Sequence, residues 1–298
     1  HEDIGTAGNK LVISQSGKYV ITDAADAAAD NSNIQIIVNG NLEDVEITVK
    51  NVKTNAQLNN NLDGAETDDK YSNRCAFEIN SGTTVTLNWE GTNKFWSSPE
   101  RAGINVKPGA TLILNDEDNS GTLEAGSLCN GGQAHTYGAG IGGDQVEPNF
   151  GTIIIEKGQI NARCESKGNS YSKFDALAAG IGGGYSDTET STEGTIIIKG
   201  GTIEAASWSV DDGSAYSLSN LGNQYSYGAG IGGGWKGTCT NIAILGGKVT
   251  ANSYSGNDIG VGYEYYGGEG ITKGIVIGKW DENTNFPEIT GDIINQTN

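Results

Sequence analysis

Residues 194–205 read GTIIIKGGTIEA, two short runs rich in β-branched residues that are joined by a pair of glycines. β-branched residues favour strands, and glycine permits the tight corners that connect short strands. A third strand-like element, Ala179-Gly180-Ile181, lies upstream of this stretch. One unit of the chain therefore carries three short strands that are separated by glycine-containing corners.

The unit recurs along the chain. The Ala-Gly-Ile element occurs at residues 102–104, 139–141, 179–181 and 229–231, with a weaker copy at 258–260. The β-branched element occurs at residues 84–87, 111–114, 152–155, 195–198, 241–244 and 274–277. The closing element occurs at residues 121–125, 158–162, 201–205 and 247–251. A fixed recurring unit predicts a solenoid, because one unit cannot bury its apolar face without its neighbours.

The repeat predicts the fold. Equivalent strands that stack about 4.8 Å apart build parallel sheets around one continuous core. We therefore predict an all-β fold, a right-handed parallel β-helix with three short strands per coil, capped ends and long corner loops. Side-chain alternation within a strand predicts that Ile196 and Ile198 point into the core and that Ile197 points outward.

The spacing of the repeat predicts the domain organisation. Coils lengthen from 27 residues between Val85 and Leu112 to 50 residues between Ile181 and Ile231, so the added residues form loops that leave the rod. An open solenoid end exposes core and unpaired strand edges. We expect a single domain over residues 1–298, with an N-terminal cap at 1–33, coils at 34–278 and a C-terminal cap at 279–298.

Composition and charge narrow the function classes. The chain has 37 acidic and 18 basic residues and a net charge of −19, which repels nucleic acid and anionic membranes. No apolar run approaches the roughly 18 to 20 residues of a membrane span, and the first residues do not resemble a signal peptide, so we expect a processed, soluble chain.

The cysteines are widely spaced. Cys75, Cys129, Cys164 and Cys239 show no C-x-x-C spacing, and the chain has only two histidines, so no zinc site is expected. Two disulfide bridges and buried free thiols are both compatible with this spacing.

Two stretches carry a family resemblance. Residues 138–143, GAGIGG, together with residues 194–205 resemble a repeat of extracellular bacterial β-helix proteins of the pectate-lyase-like superfamily. Many proteins with this repeat are described as carbohydrate-binding-domain-containing surface proteins. The resemblance covers about residues 75 to 278 and implies a β-helix, an extracellular location and carbohydrate binding.

Aromatic residues are concentrated in the long loops that follow the third strand of each coil. Flat aromatic faces among small polar residues suit sugar rings, so these residues are ligand-binding candidates. They are Tyr171, Trp208, Tyr216, Tyr225 and Tyr227. The alternative is that they pin the long loops to the rod.

A second aromatic set follows the Ala-Gly-Ile element. Tyr185, Trp235 and Tyr263 occur at the same offset in three successive units and are predicted to form a row along the rod. Such a row is either a platform for an extended polysaccharide or a ladder that stabilises neighbouring coils.

An acidic stretch resembles part of a calcium loop. Asp116, Asp118 and Ser120 precede Gly121 in the pattern D-x-[DN]-x-S-G, whose hard oxygen atoms suit calcium. The twelfth position is Ser127 and not Glu, so a helix-flanked calcium hand is excluded. The alternatives are a calcium ligand set of another kind and a solvated acidic turn, and no cofactor is required.

Catalysis is the alternative to binding. Glu124 and Glu204 are both predicted to point outward from the third strand, two coils and thus about 10 Å apart, near the upper limit for an inverting glycosidase pair. No sequence feature indicates a perturbed pKa at either residue. We therefore expect a secreted or cell-surface carbohydrate-binding module or adhesin, with a polysaccharide lyase or glycoside hydrolase, or a structural spacer, as alternatives.

Overall fold

The computed structural model describes residues 4–6, 10–22, 34–55, 74–129, 135–168, 175–186, 193–211, 226–237, 241–263 and 274–292. All regular structure within these ranges is β-strand. No helix there is long and apolar enough to cross a membrane. The strands, numbered in chain order, form three sheets of nine, eight and seven strands.

Each sheet collects the equivalent strands of successive coils. The first sheet contains β1 (Ile4–Thr6), β2 (Lys10–Ile13), β4 (Gln35–Val38), β7 (Phe77–Ile79), β10 (Ile104–Val106), β13 (Ile141–Gly142), β16 (Ile181–Gly182), β19 (Ile231–Gly232) and β22 (Ile259–Gly260). The second contains β3 (Gly17–Thr22), β5 (Val45–Lys50), β8 (Thr84–Glu90), β11 (Thr111–Asn115), β14 (Thr152–Lys157), β17 (Thr195–Ile198), β20 (Asn241–Ile244) and β23 (Ile275–Ile277). The third contains β6 (Lys53–Asn55), β9 (Thr92–Ser97), β12 (Thr122–Cys129), β15 (Gln159–Gly168), β18 (Thr202–Asp211), β21 (Lys248–Ser253) and β24 (Glu288–Thr290).

The pairing confirms the predicted fold. Neighbouring strands are parallel in all three sheets, apart from the antiparallel pair of β1 and β2 at one end. Equivalent residues of successive repeats are direct partners, as Ile153 is with Ile196 and Ile196 with Ile242. The chain is an all-β, right-handed parallel β-helix with three short strands per coil.

Strand pairing extends beyond the range in which coils were expected. β2 pairs in parallel with β4, so residues before 34 already contribute to the first sheet. β3 does the same in the second sheet, and β24 pairs in parallel with β21 beyond residue 278. Residues 10–22 and 288–290 thus supply coil strands, although they fall in the segments expected as caps. The antiparallel strand β1 lies at the outer edge of the first sheet.

The core consists of stacked aliphatic columns. Ile196 and Ile198 are fully buried, whereas Ile197 between them is partly exposed, which confirms the predicted alternation. The largest buried side chains, Trp89, Phe77 and Phe95, join the same apolar cluster. Burial of each large aliphatic side chain contributes about 1.5 to 3 kcal/mol to the folded state.

Glycines in the Ala-Gly-Ile-Gly motif are required by close backbone approach. Gly142, Gly182, Gly232 and Gly260 have φ values of 138°, 135°, 139° and 136°, a region that side-chain-bearing residues rarely adopt. A β-carbon on each of the first three would overlap the carbonyl oxygen of the next glycine along the rod. The repeated motif therefore has a structural cause.

The long loops begin as extensions of the third sheet. β15 and β18 remain paired over ten residues, from Gln159 with Thr202 to Gly168 with Asp211. The closing elements end at residues 162 and 205, so loops were expected to begin at residues 163 and 206; residues 163–168 and 206–211 instead continue the strands. The returning ends of successive loops also pair, through parallel bridges of Ala176 with Thr136 and with Ser226.

A column of small polar side chains ties these returning ends to the rod. Ser127, Cys164, Ser207 and Ser253 are in register in the third sheet. Each donates a hydrogen bond to a carbonyl oxygen of the segment that returns to the first sheet in the preceding coil. The acceptors include Pro99, Thr136, Ala176 and Ser226, at 3.2, 3.6, 3.5 and 3.3 Å. In four successive coils, the column thus fastens the third sheet to the segment that leads on to the first sheet.

Candidate functional site

A groove of about 350 Å³ crosses the outer face of the third sheet. Three consecutive strands, β15, β18 and β21, supply its lining. The lining residues are Asn161, Arg163, Glu165, Glu204, Ala205, Ala206, Trp208, Thr250 and Asn252. The groove lies where the third sheet extends toward the long loops.

Strand register sets the geometry of the groove. One row across the strands contains Asn161, Glu204 and Thr250, and a second row contains Arg163, Ala206 and Asn252. Strands in a sheet are about 4.8 Å apart, so each row spans about 10 Å along the rod axis. The groove is therefore lined by polar side chains at two adjacent levels.

Small residues create the space in the second row. Gly126 and Ala206 are the register partners of Arg163 on its two neighbouring strands. The ring of Trp96 occupies the space above Gly126, because a β-carbon there would lie 2.6 Å from the ring. On the other side, the short side chain of Ala206 leaves the space beside Arg163 open to the groove.

The Arg163 guanidinium is held along its own strand. Its Nε donates a hydrogen bond to Asn161 Oδ1 at 2.7 Å, and its Nη1 lies 3.9 Å from Glu165 Oε2. Glu165 is only 9% exposed. The positive charge in the groove thus already has a carboxylate and an amide oxygen beside it.

Two residues predicted separately from the sequence meet in this groove. Trp208 was a ligand-binding candidate and Glu204 a carboxylate candidate, and both line the same cavity. Trp208 is half-buried and is the register partner of Glu165, whereas Glu204 is exposed. Among the residues that the structure describes, no cation lies within ion-pair distance of Glu204.

The predicted carboxylate pair does not converge. Glu124 and Glu204 lie on the same row with Asn161 between them, as expected. However, the Glu124 carboxylate forms an ion pair with Lys94 Nζ at 3.5 Å, and Lys94 lies on β9, on the side of Glu124 away from Glu204. The ion pair therefore directs the Glu124 carboxylate away from Glu204.

An aromatic row runs along the corner beside the first sheet. Tyr137 contacts Tyr185 with ring centroids 5.0 Å apart, and Tyr185 stacks on Trp235 at 5.3 Å. Tyr227 then links Trp235 to Tyr263 at 5.8 and 5.5 Å. The predicted row of Tyr185, Trp235 and Tyr263 thus exists, with Tyr227 inserted between the last two.

The ring geometry of this row favours mutual packing. The Tyr185 and Trp235 planes are 25° apart and the Tyr227 and Tyr263 planes are 29° apart, so each pair covers one face of both its rings. Contacts of this kind stabilise neighbouring coils by about 0.5 to 1.5 kcal/mol per pair. The geometry therefore favours the ladder interpretation, and a ligand-binding role for these four residues stays a prediction.

Three other ligand-binding candidates lie outside the described residues. They are Tyr171, Tyr216 and Tyr225. In the sequence, Tyr171 follows β15, and Tyr216 and Tyr225 follow β18; both strands line the groove.

The acidic stretch at Asp116 forms a self-contained turn. The Asp116 carboxylate is buried and accepts hydrogen bonds from the backbone nitrogens of Ser120 and Gly121, at 3.4 and 3.1 Å. Asp118 is exposed. In the described part of the chain, no group of three or more His, Cys, Asp or Glu side chains is arranged to hold a metal ion. Calcium binding through Asp116, Asp118 and Ser120 stays a prediction.

Three of the cysteines are buried thiols that form no disulfide bond, namely Cys75, Cys129 and Cys164. Cys239 lies outside the described residues. Burial raises the pKa of the Cys164 thiol to about 12. Burial likewise raises the pKa of Cys75, with a further contribution from the nearby Asp144 carboxylate. Neither Cys75 nor Cys164 is thus present as a reactive thiolate near neutral pH.

Two groove residues were missed in the sequence. Arg163 and Glu165 were assigned to a loop because the third strand was ended at Ala162. Continuing the two-residue alternation past Asn161 places both on the outer face, and the same step from Glu204 reaches Trp208. The signal was present, but it depends on knowing where the strand ends.

Comparison with family models, curated proteins and solved structures finds no match to this chain. The fold and the groove define a right-handed parallel β-helix with a polar, tryptophan-containing groove on one face. Function must therefore be argued from that groove.

Proposed function

We propose that the chain is a carbohydrate-binding module or adhesin that holds an extended glycan in the groove of the third sheet. The observation that carries the proposal is the presence of Trp208 beside Glu204, Arg163 and Asn252 in one groove. Ligand sites commonly combine an aromatic surface with a few convergent polar groups, which fix orientation and specificity.

The chemistry of the lining suits a sugar. A pyranose ring has an apolar face of C–H groups that packs on an indole, and hydroxyl groups around its edge. Glu204 accepts hydrogen bonds from hydroxyls, while Asn252 and Thr250 both donate and accept them. This combination matches a polyhydroxylated ring better than a purely apolar ligand, which would leave the polar groups without partners.

The scaffold supports recognition by pre-organisation. The groove lies on paired strands, and the longest of them stay in register over ten residues. Arg163 is already oriented by Asn161 at 2.7 Å. Little ordering of the protein is then required on binding, which favours affinity.

The direction of the groove agrees with a polymeric ligand. The two rows of lining residues run across strands, parallel to the rod axis, and their span of about 10 Å accommodates two linked pyranose rings. The motif resemblance to extracellular bacterial β-helix proteins supports a secreted or cell-surface location, where polysaccharides are accessible.

A glycan array followed by calorimetry tests the proposal. We expect Trp208→Ala to weaken binding of the best glycan by about tenfold or more, as for aromatic anchors at interfaces. Trp280→Ala is the matched control, because Trp280 is 51% exposed and packs on Lys199 at 3.8 Å, outside the groove. Circular dichroism would verify that both variants stay folded.

Three outcomes would contradict the proposal. They are the absence of binding to any glycan, equal affinity of Trp208→Ala and the wild type, and loss of affinity in Trp280→Ala alone. Release of reducing ends or of unsaturated uronates from a bound glycan would instead identify an enzyme, and the array samples should be assayed for both.

A further inference from the structure

We infer that the groove selects glycans that carry no carboxylate, sulfate or phosphate groups. This inference rests on the proposed function and names the substrate class of the same groove. It follows from where the charges of the lining lie and which of them already have partners.

The positive charge of the groove lies beside a carboxylate. Arg163 Nε is engaged by Asn161 Oδ1 at 2.7 Å, and the nearest carboxylate oxygen of Glu165 is 3.9 Å from Nη1. An anionic sugar that approached the guanidinium would also approach the largely buried Glu165 carboxylate. The guanidinium is therefore positioned by Asn161, and the carboxylate beside it opposes the approach of a second anion.

Carboxylates outnumber cationic side chains in the groove lining. The lining contains two carboxylates, Glu165 and Glu204, and one guanidinium, Arg163. Within the described ranges, Glu204 has no cationic partner. A carboxylate that a ligand brought near Glu204 would experience like-charge repulsion, which grows as water is displaced from the groove.

The net charge of the whole chain also disfavours anionic ligands. Its net charge of −19 produces a negative potential that lowers the local concentration of polyanions. Uncharged glycans are unaffected by this potential, and amino sugars are attracted by it. The negative potential of the whole chain and the charges of the groove thus both disfavour the binding of acidic polysaccharides.

A matched set of oligosaccharides tests the inference. The set contains a neutral oligosaccharide that binds, its counterpart oxidised at C6 to uronic acid, and its amino counterpart, measured by calorimetry at low and high salt. We expect the oxidised form to bind about tenfold more weakly than the neutral form at low salt, and the amino form to bind at least as well. The difference in affinity between the oxidised and the neutral form should become smaller at high salt, because salt screens the repulsion.

A charge-neutralising variant localises the effect. Glu204→Gln should reduce the difference in affinity between the oxidised and the neutral oligosaccharide by several-fold. Glu90→Gln is the control, since it removes the same unit of charge at a residue that pairs with Lys50 and lies outside the groove lining. In Glu90→Gln, the difference in affinity between the oxidised and the neutral oligosaccharide should stay close to the difference measured for the wild type.

The outcomes separate the two hypotheses. Failure of all oligosaccharides to bind would overturn the proposed function itself. Binding of the oxidised form as tightly as the neutral form, or equal responses of Glu204→Gln and Glu90→Gln, would overturn the charge selectivity and leave glycan binding standing.

Discussion

Gly142 faces the carbonyl group of Gly182 in the next coil so closely that a β-carbon on Gly142 would overlap it. Gly182 stands in the same relationship to Gly232, and Gly232 to Gly260. Backbone therefore stacks directly on backbone at this position of the first sheet, and this stacking explains why the glycine recurs in four successive coils.

The glycine stack predicts a large effect of a small substitution. Gly182→Ala should lower the free energy of unfolding by about 3 kcal/mol or more, because it combines an unfavourable φ with a backbone overlap. Gly274→Ala is the matched control, since a β-carbon there meets nothing within 4 Å. Urea denaturation compares the two, and equal losses would contradict the stacking argument.

Side-chain alternation in β17 predicts a second contrast. Ile196→Ala and Ile198→Ala should each cost about 2 to 5 kcal/mol of unfolding free energy, as for other large-to-small substitutions in a packed core. Ile197→Ala should cost less than about 1 kcal/mol, because the side chain is already partly exposed to water. The three variants share one strand and one chemistry, so similar losses would refute the assignment of inner and outer faces.

The Cys164 thiol predicts a loss of stability at alkaline pH. Its pKa rises from 9.0 to about 12 on burial, so the folded chain keeps a proton that the unfolded chain releases. Between about pH 9 and pH 12 the unfolded state binds fewer protons, and the free energy of unfolding falls as pH rises. Serine is the residue at the register-equivalent positions Ser127 and Ser207 of the neighbouring strands. Cys164→Ser should therefore reduce the loss of unfolding free energy at alkaline pH. Urea denaturation across the alkaline range measures this loss. An identical pH dependence in the wild type and Cys164→Ser would contradict the assignment of the loss to the Cys164 thiol.

Filling the groove predicts a loss of binding without a loss of fold. Ala206→Ile should weaken glycan binding by about tenfold or more, because the new side chain occupies the space beside Arg163. Ala243→Ile is the control, since Ala243 also points outward and its register partners are Ile197 and Val276. Calorimetry and thermal unfolding distinguish the variants. Normal binding by Ala206→Ile would exclude this groove as the ligand site.

The fold was predictable because a solenoid repeats its constraints. The β-branched run around Ile196 and the glycines around Gly182 recur in several successive coils, so the strand register follows from aligning the repeats with one another. The outer limits of the coils were less predictable. Residues 10–22 form strands, although their sequence does not carry the repeat.

The candidate site was predictable only in part. Glu204 and Trp208 were identified as separate candidates, because the end of the third strand could not be located from residue type. Strand extension to Asp211 depends on pairing with β15, a long-range contact that local propensity does not contain. The ion pair of Glu124 with Lys94 likewise depends on the neighbouring coil.

The column formed by Ser127, Cys164, Ser207 and Ser253 has an engineering and evolutionary consequence. Cys164, Ser207 and Ser253 each fasten the point at which an excursion of the preceding coil rejoins the rod. The residues within each excursion can therefore change in length and composition without altering the coil that follows. Insertions at these corners are then tolerated independently of one another. A chain built this way can acquire new recognition loops one turn at a time, and foreign peptides grafted between two fastened ends should be displayed without loss of the rod.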